Sequence, residues 1–178
     1  MILTQRTQRK KLKFRVFVTR GLEDHSIMLF AKDMTIIWSD NSQYWKWISV
    51  KKPSGATVDA AELLDVCWLE IRARIDTKKL SPGIPYQAGF VVMMKGHAYG
   101  WENPVKLGLL FPNGSKKEVH FDLKEIKQRN EWVEIRIGES FTLPKSGGEL
   151  EISMCGSEGL YWKKGLVIKA VFIRPKNN

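Results

Sequence analysis

Residues 67–75 read CWLEIRARI, and this stretch indicates the fold class. Its odd-numbered positions are all apolar, while Glu70, Arg72 and Arg74 occupy even-numbered positions. Successive side chains of a β-strand point to opposite faces of the sheet, so the pattern predicts a strand with one buried face and one wet face. Such a strand belongs to a sheet that packs one face on a core.

The same alternation recurs further along the chain. It is found in the segments 105–111, 119–123, 133–137 and 150–154. The first two are separated by Pro112-Asn113-Gly114-Ser115, and Asn-Gly between alternating segments is a strong hairpin signal. Residues 166–173 are apolar on both faces, which is typical of a central strand.

One segment departs from this pattern. Residues 59–65, DAAELLD, predict one or two helical turns. The strands otherwise follow one another at intervals of roughly 10–15 residues, with Gly, Pro and Asn between them. The sequence therefore predicts an all-β protein, a jelly-roll-like β-sandwich with at most one short helix.

The composition favours one domain in a reducing compartment. The chain has 178 residues, and its longest apolar run, 88–94, is far shorter than the roughly 20 residues of a membrane helix. The N-terminus lacks the pattern of a secretory signal. Cys67 and Cys155 lie in strand-like segments without a disulfide framework. We therefore expect no membrane association and a cytoplasmic location, with the nucleus as an alternative.

The net charge of +10 is concentrated at one end of the chain. The first twenty residues contain seven Lys or Arg and no acid, which leaves 22 basic and 19 acidic residues in the rest. We expect a basic arm over residues 1–26 and a folded domain over 27–178. Residues 6–20 could attract RNA or another polyanion, or they could be only a solvated tail.

Signals for catalysis or metal binding are weak. His25, His97 and His120 are isolated from one another, and no Cys-x-x-Cys, His-x-x-x-His or Gly-x-Ser-x-Gly occurs. His120 is predicted to lie on the wet face of a strand, and His97 in a glycine-rich loop. We expect no enzyme activity, no metal and no cofactor.

The tryptophans suggest a binding site. Trp38, Trp45 and Trp47 bracket a polar turn at 39–42, SDNS, which includes Asn41. An indole face can stack on the C–H face of a pyranose ring, and short polar side chains can bind its hydroxyls. The alternative is a hydrophobic cap over the end of the sandwich.

Residues 99–103, YGWEN, are a second stretch of the same kind, with the same alternative, and include Trp101 and Glu102. Trp68, among strand residues, is predicted to pack in the core. Trp132 and Trp162 open predicted strands, and their role stays undecided.

The order of these motifs resembles the phloem protein 2 family of plant lectins, also called Nictaba-like lectins. The resemblance runs from about residue 30 to the C-terminus. It is carried by WSD at 38–40, QYWKW at 43–47, AEL at 61–63, VCWLEI at 66–71, LSP at 80–82 with Tyr86, WVEI at 132–135 with Gly138-Glu139, GELEI at 148–152, WKKGL at 162–166 and IRP at 173–175.

The resemblance implies a β-sandwich lectin of the phloem that binds N-acetylglucosamine oligomers (chitooligosaccharides) and N-glycan cores. It implies that Trp38 and Trp45 are the sugar-binding tryptophans and that Glu158 is the counterpart of an implicated acid. Relatives often have Phe where this chain has Trp101, which would keep or enlarge a stacking surface. We expect modest affinity for one site, roughly micromolar to millimolar, so a homodimer would gain avidity.

Two rival functions remain open. An RNA-binding or trafficking protein would act through residues 6–20 and exposed aromatic rings. A structural phloem protein joined by disulfides would need more cysteines than the two present.

Overall fold

The computed structural model describes residues 26–177, which form a β-sandwich of two antiparallel sheets. The predicted fold class is therefore confirmed. The strands are β1 Ile27–Phe30, β2 Thr35–Ile36, β3 Trp45–Lys51, β4 Thr57–Leu63, β5 Leu69–Asp76, β6 Tyr86–Tyr99, β7 Val105–Leu110, β8 Lys116–Phe121, β9 Trp132–Arg136, β10 Glu149–Gly156 and β11 Lys164–Pro175. Short 3-10 turns lie at Ala31–Asp33, Thr77–Lys79, Leu123–Glu125 and Glu158–Leu160.

The six-stranded sheet has the order β3-β4-β11-β6-β9, with β1 also paired to β11. The five-stranded sheet has the order β2-β5-β10-β7-β8. The core lies between them and takes the apolar positions of the alternating strands, including Leu69, Ile71 and Ala73 of β5. The predicted central strand is confirmed, because β11 pairs with β1, β4 and β6.

The predicted hairpin is also confirmed. Strands β7 and β8 pair antiparallel, and the turn between them places Gly114 at φ 84°. The side chain of Asn113 accepts a hydrogen bond from the Ser115 backbone amide at 3.0 Å. An Asn-Gly turn suits these positions because glycine adopts a positive φ without steric cost.

The helix predicted over residues 59–65 is wrong, since most of that segment belongs to β4. Strand β4 lies between β3 and β11 and pairs with both. These pairings bury Ala60, Ala61 and Leu63, and long-range pairing outweighs the weak local preference of alanine and leucine for a helix.

The loop predicted around His97 is also wrong, because His97 lies in β6. That strand of 14 residues contains the apolar run 88–94. It pairs with β11 on one side and β9 on the other, so both faces are apolar over much of its length and no alternation is visible. His120 lies exposed on β8, as predicted, and His25 lies outside the described residues.

Five chain crossings lie side by side at one end of the sandwich. They join β2 to β3, β4 to β5, β10 to β11, β6 to β7 and β8 to β9. The two strands of each pair hold the same position, first to fifth, in the strand orders of their sheets. The crossings therefore follow one another in that order across the end. The connections β3–β4, β5–β6, β7–β8 and β9–β10 lie at the opposite end.

Within residues 26–177, no helix is long and apolar enough to cross a membrane.

Candidate functional site

The first four crossings form a surface that we call the aromatic end. It comprises residues 37–44, 64–68, 157–163 and 99–104. Within residues 26–177, every exposed large hydrophobic side chain lies there. These are Trp38, Trp68, Tyr99, Leu160, Tyr161 and Trp162. Burial in the core therefore does not account for them.

Trp38 presents its indole to solvent from the first crossing and is 45% exposed. Its backbone has φ 63°, a left-handed conformation that is rare for a bulky residue and is often held at functional sites. Its ring lies 5.5 Å from that of Tyr44, centroid to centroid. Asn41 is exposed in the same turn, where its side chain accepts a hydrogen bond from the Gln43 amide at 2.9 Å.

Trp45 was predicted to be a surface platform, and this is wrong because the residue is only 2% exposed. Its indole N–H donates to the Ile37 carbonyl at 3.1 Å. The indole N–H of Trp47 donates to the Ser39 carbonyl at 3.1 Å. These two tryptophans bind the backbone on both sides of Trp38, so they hold the segment that carries the exposed Trp38 ring.

Trp68 was predicted to lie in the core, and this is also wrong because it is 42% exposed. Its indole N–H donates to the Glu70 carboxylate at 3.0 Å, which Arg72 also contacts through Nε at 2.7 Å. These hydrogen bonds, that from Trp68 first, hold the pKa of Glu70 below its ordinary value. The signal was present in the sequence, because position 68 lies on the wet face of the alternating segment 67–75, with Glu70 and Arg72.

Lys163 joins the third crossing to the second and is buried. Its ammonium donates to the Tyr161 carbonyl at 2.7 Å and to the Cys67 carbonyl at 3.2 Å. Burial lowers its pKa from the ordinary value. Trp162 beside it is 54% exposed. Glu158 is exposed as well, and its carbonyl accepts a hydrogen bond from the Asn103 side chain at 3.4 Å.

The fourth crossing holds the second aromatic stretch. Trp101 was expected to enlarge a stacking surface, but it is only 4% exposed, and its indole N–H donates to the Lys164 carbonyl at 3.0 Å. Tyr99 is the exposed ring here, and its hydroxyl contacts the Asp65 carboxylate of the second crossing at 3.3 Å. Glu102 is exposed. All six candidate residues therefore lie at the aromatic end, but two of them are buried supports.

The aromatic end is acidic. Its four crossings contain Asp40, Asp65, Glu102 and Glu158 against one base, Lys163. Carboxylates and amides of this kind accept and donate hydrogen bonds to neutral hydroxyls. Nowhere in residues 26–177 do three or more His, Cys, Asp or Glu side chains gather closely enough to hold a metal ion.

Cys67 was predicted to be buried on the same face as Leu69, and this is wrong. Strand β5 begins only at Leu69, so Cys67 belongs to the crossing and is half-buried. Cys155 is likewise a half-buried free thiol, and burial raises its pKa.

These features define a two-sheet sandwich that exposes a set of large aromatic side chains on the loops at one end. The chain belongs to the phloem protein 2 family, whose model matches residues 24–175. Protein PHLOEM PROTEIN 2-LIKE A1 of Arabidopsis thaliana is 44% identical over 151 residues, which cover 84% of this chain and 61% of that protein. A protein of Luffa acutangula named lectin is 37% identical over 163 residues, 91% of this chain and 76% of its own length.

The chain thus spans about three fifths of the first of these relatives. Among solved structures, a xylanase fragment of Clostridium thermocellum complexed with xylohexaose aligns with a TM-score of 0.46 and 14% identity, over 83% of this chain and 27% of that one. This likeness is too distant to bear on a ligand.

Proposed function

We propose that this protein is a non-catalytic lectin that binds carbohydrate reversibly at the aromatic end, with Trp38 as the primary stacking platform. The observation that carries the proposal is the exposed indole of Trp38, whose backbone is held on both sides by Trp45 and Trp47. A ring carried by a segment whose backbone is already held loses less conformational entropy when a ligand stacks on it than a ring on a mobile loop would.

The polar groups that we assign to sugar hydroxyls come from the same crossings. Asn41, Glu102 and Glu158 are exposed around the rings, and they provide amide and carboxylate groups for hydroxyl and N-acetyl groups. We propose N-acetylglucosamine oligomers and related N-glycan cores as the ligands. The family and the lectin of Luffa acutangula support this choice.

The same proposal covers the domain boundaries, the cellular location and the oligomeric state. Residues 27–178 would form the lectin domain, acting in the cytoplasm of phloem cells, and two copies in a homodimer would raise avidity. The rival RNA-binding function depends on residues 6–20, which lie outside the described residues. The acidic aromatic end offers a polyanion no attraction.

Titration calorimetry with chitotriose tests the proposal. Trp38→Ala should weaken binding by roughly 10- to 100-fold, as expected for the loss of about 1.4–3 kcal/mol. Trp132→Ala is the matched control, because this partly buried indole lies under the Lys169 ammonium on the outer face of the six-stranded sheet, 5.2 Å from ring centroid to Nζ.

The control should bind like the wild type. Wild-type affinity in a folded Trp38→Ala variant would contradict the assignment of this site.

A further inference from the structure

Each of the first four crossings carries at least one exposed ring. In the shared order of the two sheets, these are Trp38 on the first, Trp68 on the second, Tyr161 and Trp162 on the third, and Tyr99 on the fourth. Neighbouring strands lie about 4.8 Å apart, so three steps across the end span roughly 14 Å. This length exceeds one sugar ring and suits a short oligosaccharide.

Backbone contacts hold neighbouring crossings together. The Leu64 amide donates to the Tyr44 carbonyl at 2.8 Å, which joins the first two crossings. Val66 and Lys163 form a β-bridge between the second and third. Lys164 pairs with Tyr99 between the third and fourth. The row therefore rests on a continuous hydrogen-bonded backbone.

Trp68 is held by a network of hydrogen bonds. Its N–H is occupied by Glu70, and Arg72 holds that carboxylate while also pairing with Glu151 of β10. The hydrogen bonds that lower the pKa of Glu70 keep it ionised and able to accept. The polar edge of the indole is therefore used within the protein, while much of the residue remains exposed.

Such a network restricts an exposed ring that contributes little to the core. A flexible indole would lose rotamer freedom when it bound a ligand, whereas a ring that is already held loses less. The protein therefore prepares a second platform one crossing away from Trp38, and the exposed Trp162 continues the row.

We infer that Trp68 and Trp162 are additional stacking subsites beside Trp38 and that Glu70 positions Trp68. This inference rests on the proposed function, because it extends the site at Trp38. It assigns roles to residues that the resemblance leaves without one.

Calorimetry with chitobiose, chitotriose and chitotetraose tests the inference. Wild-type affinity should rise with length, by roughly tenfold for each additional ring engaged, which corresponds to about 1.4 kcal/mol. Trp68→Ala and Trp162→Ala should each lower the ratio of chitotetraose to chitobiose affinity, because the longer sugar depends on more of the exposed rings. Trp38→Ala should weaken binding of all three sugars.

The role of Glu70 is tested by a pair of variants. Glu70→Ala removes the acceptor for the Trp68 N–H and should reduce the ratio of chitotetraose to chitobiose affinity. Glu70→Gln retains a carbonyl oxygen that can accept the same hydrogen bond, so it should restore much of the ratio. A purely structural role would lower the unfolding midpoint and leave this ratio unchanged.

The outcomes separate the inference from the proposed function. If the wild type binds chitobiose through Trp38 but affinity does not rise with length, the row is overturned and the primary site stands. A Trp68→Ala variant with an unchanged ratio would also overturn the role of Trp68. If the wild type binds none of the three sugars, both the function and the row fail.

Discussion

At the end of the sandwich opposite Trp38, aromatic rings pack against one another and are buried or partly buried. Tyr86 lies 6.3 Å from Phe141, and Phe111 lies 5.6 Å from the same ring, measured between centroids. The Tyr86 hydroxyl accepts a hydrogen bond from the Ser81 amide at 2.9 Å. At this end aromatic rings help to close the core, whereas at the aromatic end exposed rings do not. The contrast supports the proposal that the aromatic end binds a ligand.

Charge separates the two ends as clearly as burial does. The opposite connections, 52–56, 77–85, 111–115 and 137–148, contain Lys52, Lys78, Lys79 and Lys145 against Glu139. The aromatic end has the reverse excess, with four acids and one base. The two ends therefore suit different partners, and a neutral ligand rich in hydroxyl groups fits the acidic, aromatic one.

The largest effect should be the difference in stability between a variant without the buried Trp45 and a variant without the exposed Trp38. Trp45→Ala should lower the free energy of unfolding by about 3–5 kcal/mol, since it removes a buried ring and leaves a cavity. Trp38→Ala should change it by less than about 1 kcal/mol, because the ring faces solvent. Urea unfolding of both variants measures the difference. Equal losses of unfolding free energy would contradict the assignment of Trp45 to the buried support and of Trp38 to the exposed surface.

A substitution at the opposite end should lower the stability of the fold and leave sugar binding unchanged. Phe141→Ala should cost about 3 kcal/mol of unfolding free energy, because Phe141 packs between two aromatic neighbours. Chitotriose binding by the folded variant should stay within about twofold of the wild type. A large loss of affinity at a temperature where the variant is folded would show that the two ends are coupled.

The strain at Trp38 predicts a smaller effect. Trp38→Gly should be more stable than Trp38→Ala by about 1 kcal/mol, because a positive φ is unfavourable for alanine and easy for glycine. Both variants lack the ring, so both should bind sugar weakly. Thermal unfolding of the pair gives the comparison. A more stable alanine variant would mean that the left-handed backbone is not retained in solution.

The smallest effect on sugar affinity should follow deletion of residues 1–25. Chitotriose affinity should change by less than about twofold, or roughly 0.4 kcal/mol, whereas any RNA affinity should be lost. For the full chain, engagement of about five charges would give a slope of log affinity against log salt of roughly −3.5. A steep salt slope that persists in the truncated protein would place polyanion binding on the folded body.

The resemblance and the local pattern together located the candidate site but not the role of each ring. The tryptophans at 38 and 45 flank the same polar turn, and their local sequences do not distinguish a platform from a support. Pairing of Trp45 with Leu63 across β3 and β4 accompanies its burial. Trp68 could have been placed correctly, because its even-numbered position lies on the same face as Glu70 and Arg72.

The sequence by itself determined the β-sandwich class, the β7–β8 hairpin and the central position of β11. Side-chain alternation and turn chemistry are local properties that each segment carries within itself. Only the tertiary structure decided that residues 59–65 form mainly a strand, that Trp45 and Trp101 are buried, and that four crossings bring exposed rings to the same end. These outcomes depend on which strands pair and in what order, and such pairings join residues far apart in the chain.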